Sequence, residues 1–196
     1  MESYKDIENI HSFGKKLLNT SELSSILKVS KGRNLENLTQ KLVSSGVLTQ
    51  IEKGKYFTTN NPPLEFEIAN YIYTPSYISL ETALNYFGVL SQFPHEITCI
   101  STKKAIQKNI NGKRFSYSKI KKELFTGYQK VDSFLIATPS KAFFDYLYFI
   151  TKSLRTENYI SEMDLTKVSK SEVLSFFKLL KTGKVNNLLE LINKYL

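Results

Sequence analysis

The chain has 196 residues and a mass of 22.5 kDa, which is enough for one large domain or two small ones. Hydrophobic residues make up 41% of it and charged residues 23%, a globular balance that excludes general disorder and fibrous classes. A net charge of +9 favours an anionic partner, either nucleic acid or a membrane surface. The single cysteine, Cys99, excludes a disulfide framework and a cysteine-based metal cluster, which fits a reducing cytosol.

Neither a membrane span nor a signal peptide is expected from the sequence. The densest apolar stretch, Ala142 to Ile150, is interrupted by Asp145 and is far shorter than the ~20 residues that a bilayer requires. The N-terminal segment MESYKDIENI is acidic and polar, unlike a signal peptide. We therefore expect a cytoplasmic protein without membrane contact.

Charge is distributed along the chain in blocks. Residues 1–60 carry nine basic and six acidic side chains, whereas residues 61–100 carry four acids and no Lys or Arg. Residues 101–130 carry nine basic groups and one acid. Such segregation predicts a surface that meets an anionic partner.

The segment Thr-Asn-Asn-Pro-Pro at residues 59–63 divides the sequence. Two Asn followed by two Pro cannot continue a helix or a central strand, so a linker or sharp turn is expected there. The sequence therefore predicts two domains, residues 1–59 and residues 64–196.

The first domain begins with two predicted helices. Apolar residues recur at helical spacing from Tyr4 to Phe13. Asn19 and Glu22 have the spacing of a capping box, which predicts a short second helix that ends near Val29.

A third helix and a hairpin complete the first domain. Ser30 is the predicted N-cap of this helix, whose buried stripe is Leu35, Leu38 and Leu42 and whose end is marked by Gly46. Two extended stretches, residues 47–51 and 55–58, follow and are joined by a turn at residues 52–54. This order of elements predicts a winged helix-turn-helix DNA-binding domain.

The face of the third helix opposite its leucines is rich in polar side chains. Arg can donate to guanine, and Asn and Gln can pair with adenine, while Lys and Ser suit phosphates. The tip of the hairpin, the wing, adds two lysines. The predicted DNA-binding residues are Ser30, Lys31, Arg33, Asn37, Gln40, Lys41, Lys53 and Lys55. The alternative interpretation is a solvated polar face on a protein-interaction module.

The second domain is predicted as mixed α+β, with an antiparallel sheet and C-terminal helices. The Asn111-Gly112 pair indicates a hairpin. Pro139 fits the first turn of a helix. Predicted helices cover residues 64–73, 80–87 after the N-cap Ser79, 140–150, 171–180 and 184–195, the last two separated by Gly183; predicted strands cover residues 97–101, 108–117 (the hairpin) and 134–137.

A basic patch surrounds the predicted hairpin of the second domain. Cations interleaved with Phe115 and Tyr117 are typical of a nucleic-acid surface, with charges for phosphates and rings for stacking. The alternative is a half-buried strand with polar groups outside. The patch consists of Lys103, Lys104, Lys108, Lys113, Arg114, Lys119, Lys121 and Lys122.

No catalytic motif is visible in the sequence. It has no phosphate-binding glycine loop, no nucleophile elbow and no Asp-Asp or Asp-x-Asp pair, and its two histidines, His11 and His95, lie far apart. We therefore expect a protein that is not an enzyme and has no cofactor and no metal site. A nuclease or nucleotide-handling enzyme is disfavoured by the missing carboxylate pairs.

Three segments resemble the antitoxins of the AbiE type. Residues 38–48 (LTQKLVSSGVL) and 53–56 (KGKY) resemble that family's L-x-x-L-v-x-x-G-x-l … x-G-x-Y segment. Residues 77–84 (YISLETAL) resemble its Y-i-S-x-x-S-A-L motif, with Thr82 at the second Ser. Residues 138–145 (TPSKAFFD) resemble its x-P-E-K-A-l-x-D motif, with Ser140 in place of the acid.

This resemblance implies a bacterial type IV toxin–antitoxin or phage-defence antitoxin that represses its own operon. In that family the winged domain binds double-stranded DNA at inverted repeats in its own promoter. The second domain carries antitoxicity and adds basic surface to DNA binding. The functional partner is a nucleotidyltransferase-like toxin, without a stable complex between the two.

Two functions follow as hypotheses. The first is a DNA-binding transcriptional autorepressor and antitoxin without enzymatic activity. The alternative is a winged-helix protein-interaction module that lacks sequence-specific DNA binding.

Overall fold

A computed structural model describes residues 4–180 and 186–196. The chain divides into two compact units, Met1–Ile72 and Tyr73–Leu196. The division therefore lies after the first helix that follows the two prolines, whereas the sequence predicted it at residues 59–63.

The first unit combines helices with a small sheet. The sheet is antiparallel, in the order β1-β3-β2, with the three-residue strand β1 pairing Leu17 with Phe57. The predicted helices and hairpin are confirmed, but β1 was not predicted because three residues are too few for a periodic pattern. The elements are α1 (Tyr4–Ser12), β1 (Leu17–Asn19), α2 (Thr20–Leu27), α3 (Arg33–Ser44), β2 (Leu48–Glu52), β3 (Lys55–Thr58) and α4 (Glu65–Ile72).

The start of α2 follows from its predicted cap. The Asn19 side chain accepts hydrogen bonds from the backbone amides of Ser21 and Glu22, and the Glu22 carboxylate accepts one from the Asn19 amide. The capping box is therefore confirmed. It fixes the helix whose buried Leu23 and Leu27 join the core of this unit.

Helix α4 belongs to the first unit because its polar groups are bound there. Glu67, only 5% exposed, accepts hydrogen bonds from the Leu64 amide (2.6 Å) and from Lys16 Nζ (3.2 Å). At the other end of α4, Lys55 Nζ donates to the carbonyls of Tyr71 (3.3 Å) and Ile72 (2.8 Å). A cation at the C-terminal carbonyls of a helix is favourable, so both ends of α4 are held in place.

The second unit has a sheet with the strand order β6-β7-β5-β4-β9-β8 and flanking helices. The predicted strands and helices from residue 80 onward are confirmed, apart from the Gly183 break, which lies outside the described residues. Strands β4 and β8 were not predicted. The elements are β4 (Ser76–Ile78), α5 (Leu80–Tyr86), β5 (Ile97–Ser101), β6 (Ile106–Ile110), β7 (Lys113–Lys119), β8 (Tyr128–Val131), β9 (Phe134–Ala137), α6 (Pro139–Ile150), α7 (Lys170–Phe177) and α8 (Asn186–Tyr195).

The sheet is mixed, so the predicted antiparallel sheet is wrong in part. The pairs β6–β7, β4–β5 and β8–β9 are antiparallel, but β5 and β7 are parallel, and so are β4 and β9. The parallel pairs arise because long connections separate these strands in sequence and return the chain in the same direction. One consequence is that β5 and β7 end at the same edge of the sheet.

Helix α6 is the central helix of the second unit. Pro139 stands in its first turn, and the Thr138 side chain accepts a hydrogen bond from the Lys141 amide. Its side chains are buried on nearly all faces from Ser140 to Phe149. Among the helices of residues 4–180 and 186–196, none combines the length and apolar character that crossing a membrane requires.

Candidate nucleic-acid interface

Helix α3 has one buried and one exposed face. Leu35, Thr39 and Leu42 are buried, and Leu38, predicted to be buried, is half-buried. The exposed side holds four side chains in a strip along the helix, as its 100° turn per residue predicts. This strip, called the α3 strip below, consists of Arg33, Asn37, Gln40 and Ser44.

The start of α3 differs from the prediction. The N-cap is Gly32, at φ 143°, and not Ser30, so the helix begins at Arg33. Ser30 and Lys31 are exposed in the turn that precedes it. Ser30 therefore lies outside the helix, and the prediction that it caps α3 is wrong.

The N-terminal turn of α3 is open to an anion. Gly32 offers no side chain to the first amides of the helix, and these amides carry the positive end of the helix dipole. Exposed Lys31 precedes them and exposed Arg33 starts the helix. Lys28, which the sequence interpretation did not single out, is also exposed here, as the left-handed C-cap of α2 at φ 55°.

The two flanks of the α3 strip differ in charge. Lys41 is exposed on one flank, as predicted, and Glu36 is exposed on the other. An acidic flank repels phosphate, so only the side that carries Lys41 is suited to a nucleic-acid backbone.

The two wing lysines have different surroundings. Lys53 is exposed at the tip of the β2–β3 hairpin. Lys55 is half-buried: its Nζ holds the last carbonyls of α4 and lies 2.9 Å from Glu52 Oε1. Because these groups already engage the ammonium, Lys55 has a structural role, and its contact with DNA stays a prediction.

Five basic residues of the second unit lie together. Because β5 and β7 are parallel and Ser101 pairs with Lys119, the segments that follow both strands leave the same edge of the sheet. All five side chains are exposed. This group, called the lysine cluster below, consists of Lys103, Lys104, Lys119, Lys121 and Lys122.

The other three basic residues of the predicted patch lie elsewhere. Lys113 and Arg114 stand at the start of β7, about 20 Å from its end at ~3.3 Å per residue. Lys108 pairs with Phe115 across β6 and β7, so these two side chains lie on the same face of the sheet. Arg114, the neighbour of Phe115 in β7, points to the opposite face. The predicted patch is therefore not one continuous surface.

The aromatic side chains of the predicted patch face the interior. Phe115 and Tyr117 are 1% and 2% exposed, and the Tyr117 ring packs against Tyr73 with 4.8 Å between ring centroids. Because they are buried, these rings cannot stack on bases. The alternation of polar and aromatic residues along β7 is therefore that of a half-buried strand, which was the alternative interpretation of the sequence.

A buried polar network in the second unit was missed by sequence reasoning. Asp145 Oδ2 accepts hydrogen bonds from Tyr77 (3.0 Å) and Ser79 (2.8 Å), and Asp145 Oδ1 accepts one from the ammonium of Lys141. Lys141 and Asp145 are both fully buried. Ser79 precedes α5 as its N-cap, but its hydroxyl donates to Asp145 and caps no helix amide.

Burial dominates the electrostatics of this network. It raises the pKa of Asp145, which Lys141 and the two hydroxyls oppose, and it lowers the pKa of Lys141, which Asp145 opposes. The Lys141 ammonium also lies 5.0 Å from the ring centroid of Phe144 and 5.4 Å from that of Phe176. With no opening to solvent, the network is suited to hold the core in one arrangement rather than to bind a ligand.

The network joins two of the segments quoted above for their resemblance to AbiE-type antitoxins. Tyr77 and Ser79 come from one segment, and Lys141 and Asp145 come from the other. The spacing of Lys141 and Asp145, i and i+4 on α6, was a usable signal, because it places an acid and a base side by side on a helix that is otherwise apolar.

Within the part of the chain that the structure describes, no three His, Cys, Asp or Glu side chains form a group that could hold a metal ion. No family model matches the chain, and no curated protein matches it.

Proposed function

We propose that the first unit is a winged helix-turn-helix that binds double-stranded DNA with sequence preference. The order α2, turn, α3, then the β2–β3 hairpin supports this assignment, with β1 completing the sheet as in a wing. In such a domain the second helix of the motif enters the major groove and the wing contacts the backbone.

The α3 strip is the observation that carries the proposal. Arg33, Asn37 and Gln40 are the residue types that pair with guanine and adenine edges, and they project from one exposed side of a helix whose other side is buried. A helix anchored in this way presents its side chains at fixed positions, which base reading requires.

Phosphate contacts would surround the strip. Lys31 and the open amides of α3 suit a phosphate at one end of the helix, Lys41 suits one along its flank, and Lys53 suits one beside the wing. The lysine cluster of the second unit would add attraction that does not depend on sequence. Lys55 has no part in this proposal.

The resemblance to AbiE-type antitoxins extends the proposal to a biological role. We infer a cytoplasmic transcriptional autorepressor that binds inverted repeats in its own promoter and acts as the antitoxin of a nucleotidyltransferase-like toxin. No enzymatic activity and no cofactor are part of this role. The buried network of Asp145 would hold the second unit in the arrangement that antitoxicity uses.

The test compares Arg33→Ala with Lys53→Ala on a promoter duplex and on a scrambled duplex. Arg33→Ala is expected to cost about 1–3 kcal/mol on the promoter duplex and little on the scrambled one, because only a base contact depends on sequence. Lys53→Ala is expected to weaken both duplexes by the same factor. Fluorescence anisotropy measures all four affinities.

Equal losses on both duplexes for Arg33→Ala would contradict base reading. If the wild-type chain also bound both duplexes equally weakly, the protein-interaction module would become the better interpretation. Selective binding of a purified toxin, unaffected by competitor DNA, would support that second function.

A further inference from the structure

Strand β6 forms one edge of the six-stranded sheet. Among the described strands, only β7 pairs with it, so its other side is an open edge. The side chains of Gln107 and Asn109 are exposed on this strand, and Lys108 between them is half-buried. An open edge presents backbone amides and carbonyls that an extended segment can pair with as a further strand.

The turn between β6 and β7 determines which backbone groups point outward. It is a two-residue turn at residues 111–112, both at positive φ, and Ile110 pairs with Lys113 across it. In a turn of this type the flanking pair exchanges both hydrogen bonds, and the direction of the backbone groups then alternates along the strand. The backbone groups of Ile110 therefore face β7, whereas those of Gln107 and Asn109 point away from the sheet.

The hairpin formed by β6 and β7 is basic on both faces. Residues 106–119 carry four basic side chains and no acid, and only Lys119 of these belongs to the lysine cluster. Lys108 and Arg114 lie on opposite faces of the sheet, because Arg114 pairs with Asn109, the neighbour of Lys108. A segment added beside β6 therefore has a cation near each of its faces.

We propose that the open edge of β6 binds an extended acidic segment of a partner protein, which continues the sheet as a further strand. The backbone of this segment exchanges hydrogen bonds with Gln107 and Asn109. An acidic side chain opposite Lys108 lies beside that lysine, as in other cross-strand pairs. An acid on the other face meets Arg114 across two strand spacings, about 10 Å, which the two long side chains span together.

Apolar surface at the start of β6 fits one end of such a segment. Ile106 is 40% exposed and Leu154 is 59% exposed, and both line a cavity of about 380 Å³. Exposed apolar side chains grouped around a cavity are typical of interaction surfaces. The segment is therefore expected to combine its acids with an apolar residue at the end that lies beside Ile106.

The same charges disfavour a second copy of this chain at the edge. If two copies paired β6 with β6 in antiparallel alignment, the register that matches the whole strand would place Lys108 opposite its own counterpart. Like charges directly opposite each other destabilise a strand pair, and lysine on an edge strand is a common protection against such pairing. An acid at that position replaces the repulsion with attraction.

Double-stranded DNA is the other anionic candidate for this edge. Its phosphates accept hydrogen bonds but donate none. The edge of β6 presents carbonyls as well as amides, and a polypeptide backbone satisfies both. The geometry of the edge therefore favours a polypeptide.

The test measures hydrogen exchange of single amides by NMR in the full chain, with acetyl-Val-Glu-Glu-Glu-Val-amide as the probe. In the free chain, the amides of Gln107 and Asn109 are expected to exchange rapidly and that of Ile110 slowly, because only the last is bound to β7. The probe is expected to slow the exchange of the two outward amides. Slow exchange of these amides in the free chain would overturn the proposal, since the edge would then be covered already. Exchange that millimolar probe leaves unchanged would overturn it too.

Two control peptides separate backbone pairing from charge. One keeps the side chains but carries methyl groups on its backbone nitrogens, so it cannot donate to the edge and is expected to give no protection. The other has Gln at each Glu and is expected to bind about fivefold more weakly. Equal binding of the uncharged peptide would overturn the assignment to an acidic partner. Protection of the same two amides by a random-sequence DNA duplex, and not by the probe, would assign the edge to nucleic acid instead.

Two pairs of variants test the residues of the edge. Gln107→Pro removes an outward amide and is expected to weaken the probe about tenfold, whereas Gln107→Ala is expected to leave its affinity unchanged. Because proline also stiffens the hairpin, a second pair tests charge alone. Arg114→Gln is expected to weaken the probe about threefold, and Lys170→Gln, at an exposed position of α7, is expected to have no effect.

Unchanged affinity for the probe in both Gln107→Pro and Arg114→Gln would overturn the proposal. Anisotropy on promoter DNA should be the same for all four variants. This test therefore fails or succeeds independently of the proposed DNA binding.

Discussion

Asp145 accepts hydrogen bonds from side chains of three parts of the second unit: Tyr77 in β4, Ser79 before α5 and Lys141 in α6. A buried carboxylate is costly to leave without partners, so each of these contacts ties its element to α6. At the residue scale, we therefore expect a single substitution in this network to have a large effect on stability.

Lys141→Met is expected to lower the free energy of unfolding by about 3–5 kcal/mol, because it leaves the Asp145 carboxylate buried without its cation. The double variant Lys141→Met, Asp145→Asn is expected to lose less, because neither charge remains to be desolvated and the amide oxygen at position 145 can still accept from Tyr77 and Ser79. Urea unfolding measures both values. A double variant that is less stable than Lys141→Met would show that the ion pair itself is not what links the two residues.

Cys99 provides a pH-dependent prediction. Burial, and then the charge of Glu96, raises the pKa of its thiol above the ordinary value. Because the thiolate is the reactive form, the native protein is expected to resist alkylation even as mildly alkaline conditions ionise exposed thiols. Labelling with iodoacetamide should be slow in buffer and rapid in denaturant. Rapid labelling of the folded chain would contradict the burial of Cys99.

At the scale of elements, the β2–β3 hairpin carries two lysines with opposite expected roles. Lys55→Ala is expected to lower the free energy of unfolding by about 1–2 kcal/mol, because the last carbonyls of α4 lose a charged donor. It is expected to leave DNA affinity unchanged. Lys53→Ala is expected to lower DNA affinity and to leave the free energy of unfolding unchanged.

Urea unfolding and anisotropy on both variants measure this contrast, and each lysine serves as the control for the other. A loss of DNA affinity in Lys55→Ala without a loss of stability would contradict the structural role given to Lys55.

The elements that the sequence predicted correctly carry local signals. Asn19 and Glu22 mark a helix start, Gly54 and Asn111-Gly112 mark hairpin turns, and Pro139 marks the first turn of α6. These signals depend on the conformation of a few neighbouring residues, so they can be recognised in the sequence without knowledge of the tertiary fold.

The elements that the sequence did not predict depend on distant partners. Strands β1, β4 and β8 have three or four residues and lack both the hairpin turn that marks β3 and the apolar run that marks β9, so they become strands only because neighbours pair with them. The parallel direction of β5 and β7 is likewise a property of the connection between them.

Part of the candidate site could also be predicted from local signals in the sequence. The exposed residues of α3 follow from helical periodicity, so Arg33, Asn37 and Gln40 could be named in advance. The roles of Lys55 and of the residues around Asp145 could not, because their partners lie far away in sequence. Ser30 failed as a cap because Gly32 supplies a backbone conformation that starts the helix two residues later than expected.

At the scale of the whole molecule, the two units differ in charge. Residues 1–72 carry nine basic and eight acidic side chains, whereas residues 73–196 carry eighteen basic and ten acidic ones. Nearly all of the excess positive charge is therefore in the second unit. Under the proposed function, the first unit supplies sequence preference and the second supplies most of the attraction to phosphate.

The double variant Lys104→Ala, Lys122→Ala is expected to reduce the slope of log affinity against log salt by about 2, since each lost phosphate contact removes about 0.9. The ratio of promoter to scrambled affinity should stay unchanged, because phosphates carry no sequence information. Anisotropy titrations across a salt series measure both quantities. An unchanged slope would exclude the lysine cluster from the DNA interface.

The most direct test of the central claim is the affinity of the wild-type chain for DNA from upstream of its own gene, measured by anisotropy against a scrambled duplex across a salt series. The proposed function predicts tight binding to the upstream duplex, a clear preference over the scrambled one and a steep loss of affinity with salt. Weak binding that is equal on both duplexes would contradict it.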